Sequence, residues 1–245
     1  RQWSVHICAA MMQRKTGIHP QQPTSEKKET PAVPGEDAHE GDSVFTPEMC
    51  RQLDTVFSRM ARPLRLTLYL DSRPVSAELE SFISSLAEMT DKLSMQVARR
   101  DASSEMAPCV QICLADGTPT GLAFHGVPGG HEFTSFVLGL YNASGPGQAL
   151  DEDIRRAIEA IEHPVSMKIL VSLSCTMCPD AVVSAQHIAA KNKNITAEIY
   201  DIHHFEEIRK QYNVMSVPCI LINDSNVSFG KKNLSQLADM LSALM

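Results

Sequence analysis

The chain has 245 residues, 43% of them hydrophobic, and carries a formal net charge of -7 with a pI near 5.7. That is enough apolar material for a substantial core, and the length suits two small domains better than one. The acidic balance offers no footprint for a phosphate backbone or an anionic surface, which argues against nucleic acid as a partner. No apolar run approaches the roughly 18 residues a bilayer span needs, and no leader-like segment opens the chain. A soluble cytoplasmic protein with no membrane partner is expected.

Residues 1–18 contain a semi-apolar stretch (Trp3, Val5, His6, Ala9, Met12) that reads as a helical stub, with too little following it to form a core. Because the chain begins at Arg1, this stub is taken as the end of a truncated upstream domain. Residues 19–45 collect Pro, Glu, Lys, Gly and Ser, too polar to offset chain entropy by burial, and read as a flexible, disordered linker. From Thr46 the periodicity predicts a helix over 47–60, a strand over Leu64 to Leu70, a helix over 75–91 and a strand near Ser94 to Arg99. Two more strands (Cys109 to Leu114, Gly121 to Phe124) and a helix from His131 to Tyr141 complete this part. After a Gly/Pro/Ser break at 144–147 the order recurs. A helix over 151–161 leads to a strand at Met167 to Leu173, a helix over 178–191, a strand at Ile195 to Tyr200 and a short helix near 205–211. Strands Cys219 to Ile222 and Val227 to Phe229 precede a last helix at 233–244.

The repetition suggests a tandem duplication, one unit at 46–147 and another at 148–245. Pro108-Cys109-Val110-Gln111-Ile112 echoes Pro218-Cys219-Ile220-Leu221-Ile222. The element order is that of a thioredoxin-like α/β unit, so the fold class is two such units fused into one module behind a linker. They are expected to pack on each other through residues 142–166.

Seven cysteines without regular spacing make a poor disulfide framework, but Cys175 and Cys178 form a Cys-x-x-Cys pair between an apolar strand and an apolar-periodic helix. A cysteine at a helix N-terminus meets free backbone N–H groups and the positive dipole end, which favour thiolate, so Cys175 is the expected attacking group. Cys178, one turn on, is placed to resolve the mixed disulfide, and Pro179 is tolerated in the first helical turn. Val217-Pro218 lies 39 residues after Pro179 at the head of a strand, where proline fits if its peptide bond is cis and Val217 offers its backbone to a substrate. A zinc site would need two further ligands, and none stands at knuckle spacing; this context favours redox chemistry over zinc or inert thiols. The first unit has Asp71-Ser72-Arg73-Pro74 at the matching turn and should be silent.

Glu132 could face the dithiol across the two units and tune it or accept a proton; exposed first-turn chemistry is the competing reading. Cys219 could approach the pair but reads better as a small buried hydrophobe, as do Cys109 and Cys113. Adjacent His203 and His204 read as a solvated turn, and Asp201 as a strand-end carboxylate that could assist thiol deprotonation. The rival class is a non-catalytic interaction module with incidental thiols.

The run Gly130-His131-Glu132-Phe133-Thr134-Ser135-Phe136-Val137-Leu138, then Ser172-Leu173-Ser174-Cys175-Thr176-Met177-Cys178-Pro179-Asp180 and Val214-Met215-Ser216-Val217-Pro218, resembles the N-terminal domain of the alkyl hydroperoxide reductase flavoprotein subunit over about residues 46–245. The resemblance implies two fused thioredoxin-like folds with the working dithiol in the second. It further implies a flavin-linked dithiol as donor and a peroxiredoxin, or another protein disulfide, as acceptor. No Gly-x-Gly-x-x-Gly fingerprint occurs, so no cofactor is expected in this segment; FAD and NAD(P)H belong on an upstream or separate flavoprotein module, tethered through the linker.

Overall fold

The computed structural model describes residues 44–103 and 105–244. The predicted stub, and all but the end of the predicted linker, lie outside them. Phe45, the last residue assigned to the linker, is instead core: it is 4% exposed, stacks on Phe133 at 5.5 Å and meets Phe82 edge-on at 5.6 Å. Composition averaged over a window hides one anchoring ring.

The first unit runs α1 (Pro47–Phe57), β1 (Leu64–Tyr69), α2 (Pro74–Ala87), β2 (Leu93–Arg99), β3 (Cys109–Leu114), β4 (Pro119–His125) and α3 (Glu132–Ser144). The second runs α4 (Glu152–Glu159), β5 (Val165–Val171), α5 (Cys178–Ala189), β6 (Ile195–Asp201), α6 (Glu206–Gln211), β7 (Cys219–Ile222), β8 (Asn226–Phe229) and α7 (Leu234–Ser242). Local chemistry sets several ends. Thr46 caps α1 by accepting from the Met49 N–H at 3.2 Å, and Asn233 and Gln236 form a reciprocal capping box at α7. Strand β1 alternates buried Leu64, Leu66 and Leu68 with half-buried neighbours, the signature of a strand with one core face.

Strand order is β2-β1-β3-β4-β6-β5-β7-β8 in one eight-stranded sheet. Within each unit the first strand pairs parallel with the second and antiparallel with the third, and the last two form an antiparallel pair. The units meet where β4 pairs parallel with β6, from Leu122 opposite Ala197 to His125 opposite Tyr200. Gly121 permits this approach: its φ is +85°, and a Cβ there would stand 2.8 Å from the Ile195 carbonyl. A second contact is α3 against α5, where the Gln186 amide donates to the Ser135 carbonyl at 3.4 Å. The union is therefore made by β4–β6 pairing and the α3–α5 contact rather than by residues 142–166 alone, because a strand edge satisfies a row of backbone groups that a connector cannot.

One core cluster holds buried side chains from both units, including Leu53, Ile83, Phe136, Ile158, Ile169, Val182 and Leu237. Leu170, Tyr200, Phe205, Val214, Cys219 and Leu221 form a smaller cluster joined by Ile208 of α6. No helix among the described residues is long and apolar enough to cross a membrane.

Candidate active site

Strand β5 delivers the chain into the turn Ser172 to Met177. The Cys175 N–H donates to the Ser172 carbonyl at 2.9 Å, and the Ser172 and Ser174 hydroxyls lie 3.1 Å apart. Helix α5 begins at Cys178, so Cys175 stands ahead of the helix rather than on its face. The thiols still meet: Cys175 is half-buried, Cys178 is fully buried, and a hydrogen bond joins them. Burial first, then that bond and the nearby Glu132 charge, push the Cys178 thiol far above its ordinary range. Pro179 sits in the first turn of α5, where no intrahelical bond is lost.

The Val217-Pro218 peptide is cis. The Cys175 thiol points at the Val217 carbonyl, 3.9 Å away. Cys219, the next residue, is fully buried, and burial raises its thiol to about 11. Met177 and Met215 are 54% and 82% exposed on the two segments that carry the dithiol and Val217.

Glu132 is 0% exposed, which removes the exposed first-turn reading. Burial, opposed by a hydrogen bond from the Ser135 hydroxyl and reinforced by Asp180 and Asp201, lifts its carboxyl to about 7. Its Oε1 is buried without a hydrogen-bond partner. The start of α3 is tied to the dithiol turn through the His131 N–H, which donates to the Leu173 carbonyl at 3.0 Å. Gly130, at φ +55°, makes that contact possible, since a Cβ would lie 2.6 Å from the same carbonyl.

The histidine turn is solvated, with His203 exposed and His204 half-buried, and it also engages Asp201. His203 Nδ1 lies 2.9 Å and His204 Nε2 3.9 Å from the buried Asp201 carboxylate, because the turn closed by the His204 N–H on the Asp201 carbonyl curls both rings around it. The buried carboxylate is thus engaged by its own turn.

The matching corner of the first unit is filled by an ion pair. Arg73 Nε lies 2.7 Å from Asp71 Oδ2, and Ser76 donates to Asp71 Oδ1 at 2.7 Å. Although burial works the other way, these bonds hold the Asp71 carboxyl below its ordinary range. Arg73 also donates to the His204 carbonyl at 2.9 Å and to the Ala107 carbonyl, which precedes a second cis-proline, Pro108. The sequence marked Arg73 only as a replacement for cysteine; nothing in its spacing announces a link across 131 residues to His204.

Two copies of this strand and helix order, one with a dithiol beside a cis-proline, define a thioredoxin-like thiol–disulfide oxidoreductase module, and a thioredoxin-domain family model matches residues 165–242. The chain is similar to the NTD_N/C domain of alkylhydroperoxide reductase AhpF from Enterococcus faecalis, with 33% identity and a TM-score of 0.75 over 80% of this chain and 99% of that one. It is 30% identical to the AhpF component of alkyl hydroperoxide reductase in Pseudomonas aeruginosa, over 76% of this chain and 35% of that protein. A protein disulfide oxidoreductase from Aeropyrum pernix, at 21% identity, shares the fold with a TM-score of 0.71 over 81% of this chain and 93% of that one. The chain belongs to the family of N-terminal tandem thioredoxin-like domains of the alkyl hydroperoxide reductase AhpF. It spans little more than a third of the length of the curated relatives it matches.

Proposed function

We propose that this chain is an electron-relay module that accepts two electrons from a flavin-linked dithiol and passes them to the disulfide of a partner protein, a peroxiredoxin above all. The observation that carries the reading is the half-buried Cys175 thiol 3.9 Å from the Val217 carbonyl, with the fully buried Cys178 behind it. An extended partner segment hydrogen-bonded to the Val217 backbone brings its disulfide onto the Cys175 sulfur. Cys175 attacks as thiolate, one partner sulfur leaves, and a mixed disulfide forms. Cys178 loses its proton and displaces the second partner sulfur, leaving Cys175–Cys178 oxidised and the partner reduced by two electrons.

Cys178's raised thiol keeps it protonated until a mixed disulfide forms, which separates attacking from resolving sulfur. Glu132, poised near neutrality, acts as the local proton acceptor at that second step. Pro218 fixes the segment that presents Val217, and Pro179 starts the helix that holds Cys178. Exposed Met177 and Met215 give an adaptable apolar rim suited to a protein partner. The residues present offer no flavin or nicotinamide fingerprint, so FAD and NAD(P)H act on an upstream or separate module, and their role here is to deliver electrons to the Cys175–Cys178 disulfide.

The test is a Cys178→Ser chain mixed with an oxidised peroxiredoxin and resolved on a non-reducing gel. A covalent adduct through Cys175 is expected; absence of any adduct, with the parent also failing to reduce the peroxiredoxin, removes the relay reading.

A further inference from the structure

Outside the dithiol, one cluster of reactive groups has no part in the relay. Cys109 opens β3 directly after cis-Pro108, the position that Cys219 holds after cis-Pro218. The two cysteines are equivalent in place but not in company. His125, at the end of β4 and 4% exposed, sets Nε2 at 3.8 Å from the Cys109 sulfur and 3.7 Å from Glu198 Oε2 on β6. Its other nitrogen, Nδ1, lies 3.0 Å from the Met106 carbonyl, an acceptor only, so Nδ1 carries a proton. Nε2 is then the atom that gains or loses the second proton, between a thiol and a carboxylate.

Burial alone would push the imidazole down, but Cys109 and Glu198 outweigh it and raise it to about 10. Glu198 is lowered first by its bond with His125, then against burial, and Lys168 of β5 adds to the effect. Tyr200 stacks flat on the imidazole at 3.9 Å and donates to Glu198 at 2.8 Å. Cys109, Glu198 and Tyr200 thus face the His125 ring, and the Glu198 carboxylate favours its protonated form beside the Cys109 sulfur. Phe205 meets the same ring edge-on at 5.5 Å and lines a surface cavity of about 770 Å³ shared with Arg73, Glu105 and His204. One aromatic ring separates that cavity from the imidazole.

We propose that Cys109 is a second redox-reactive thiol, a modification site for small hydroperoxides, activated by His125 and Glu198 and independent of the Cys175–Cys178 pair. The Cys109 thiolate attacks one peroxide oxygen; the S–O bond forms as the O–O bond breaks, oxidising sulfur by two electrons to sulfenic acid. The departing alkoxide takes the Nε2 proton of His125 and leaves as the alcohol.

The whole chain provides its own control, because Cys219 lacks an imidazole. Native chain is pulse-labelled with iodoacetamide from about pH 6 to 9, and labelling at Cys109 and Cys219 is read by peptide mass spectrometry. A parallel sample receives tert-butyl hydroperoxide and the sulfenate trap dimedone. Cys109 is expected to label at least ~10-fold faster than Cys219, whose own rate climbs roughly tenfold per pH unit as a thiol must below its pKa. Dimedone should mark Cys109, and His125→Gln should bring its labelling down to the Cys219 rate. Labelling of Cys109 no faster than Cys219, or fast labelling that a folded His125→Gln chain leaves unchanged, overturns the proposal. So does the absence of a dimedone adduct at Cys109. Should His125→Gln fail to fold, the comparison between the two cysteines of the unaltered chain decides alone.

Discussion

Residues 71–74 of the first unit and 174–179 of the second occupy the same turn between a first strand and its helix, and each faces the carbonyl that precedes a cis-proline. In the second unit a thiol points at that carbonyl; in the first, the Arg73 guanidinium occupies it and is held by Asp71. One frame therefore supports two outcomes. Where the carbonyl stays available to a partner, the corner can exchange disulfides, and where a guanidinium satisfies it, the corner becomes a clamp that also reaches His204 in the other unit.

The sharpest way to break this contrast is to make the second corner as silent as the first. Cys175→Ser is expected to lower disulfide reduction by at least ~100-fold, since exchange needs an attacking thiolate; the rate is followed with a chromogenic disulfide. A residual rate near the parent's would show that the thiol-free corner is not silent, or that another cysteine serves.

Next comes Glu132, the first unit's contribution to the second unit's chemistry. Its carboxyl sits near 7 in the folded chain against 4.5 ordinarily, so the native state keeps a proton that the unfolded chain has released. That stabilisation is complete below about pH 4.5 and is lost as pH rises through about 7, by roughly 3 kcal/mol in all. His187 works in the opposite sense: burial lowers it to about 4, so stability drops as pH falls from about 6.5 through 4. The two slopes mask each other in the parent. Subtracting urea-unfolding curves of Glu132→Gln and parent should isolate the Glu132 limb, with the variant gaining relative stability toward alkaline pH. A difference that does not change with pH would refute the burial account.

Gly130→Ala tests the tie between the units at the dithiol turn. The added Cβ meets a backbone carbonyl at 2.6 Å and a left-handed φ, for an expected loss of about 2–3 kcal/mol in denaturant midpoint analysis. The smallest effect belongs to Arg73→Ala: about 1–2 kcal/mol from the released carbonyls, with the exchange rate unchanged. A fall in exchange rate would mean that the clamp also shapes the working corner.

Much of this frame was legible in the sequence because its periodicities are strong. Leu64 to Leu70 alternates as a half-buried strand must, and Cys175 to Pro179 bridges a strand and a helix. The run from Gly130 to Leu138 pointed to Glu132, which is fully buried next to the His131 tie to the dithiol turn. The union of β4 with β6 was not legible, since a short strand around Gly121 carries no mark of which edge it will meet. Cys109, His125 and Glu198 lie on three different strands, and the residues between them give no regular spacing to read. Nor could composition distinguish Phe45 from the polar residues before it.

The β4–β6 seam has a consequence for anyone who would shorten this chain. Each of those strands, freed from the other, would present an unpaired row of N–H and C=O groups on a flat apolar ribbon, with Leu122, Phe124, Ala197 and Ile199 beside it. The paired stretch holds no proline, and apart from Tyr200 its ionisable side chains are Glu198 and His125, which face each other across the seam. A fragment holding only the dithiol unit would keep Cys175, Cys178, Val217 and Pro218, lose Glu132, and tend to dimerise or aggregate through β6. The unit without the dithiol thus also serves as the lid on an adhesive edge, a role that stands apart from any chemistry it contributes.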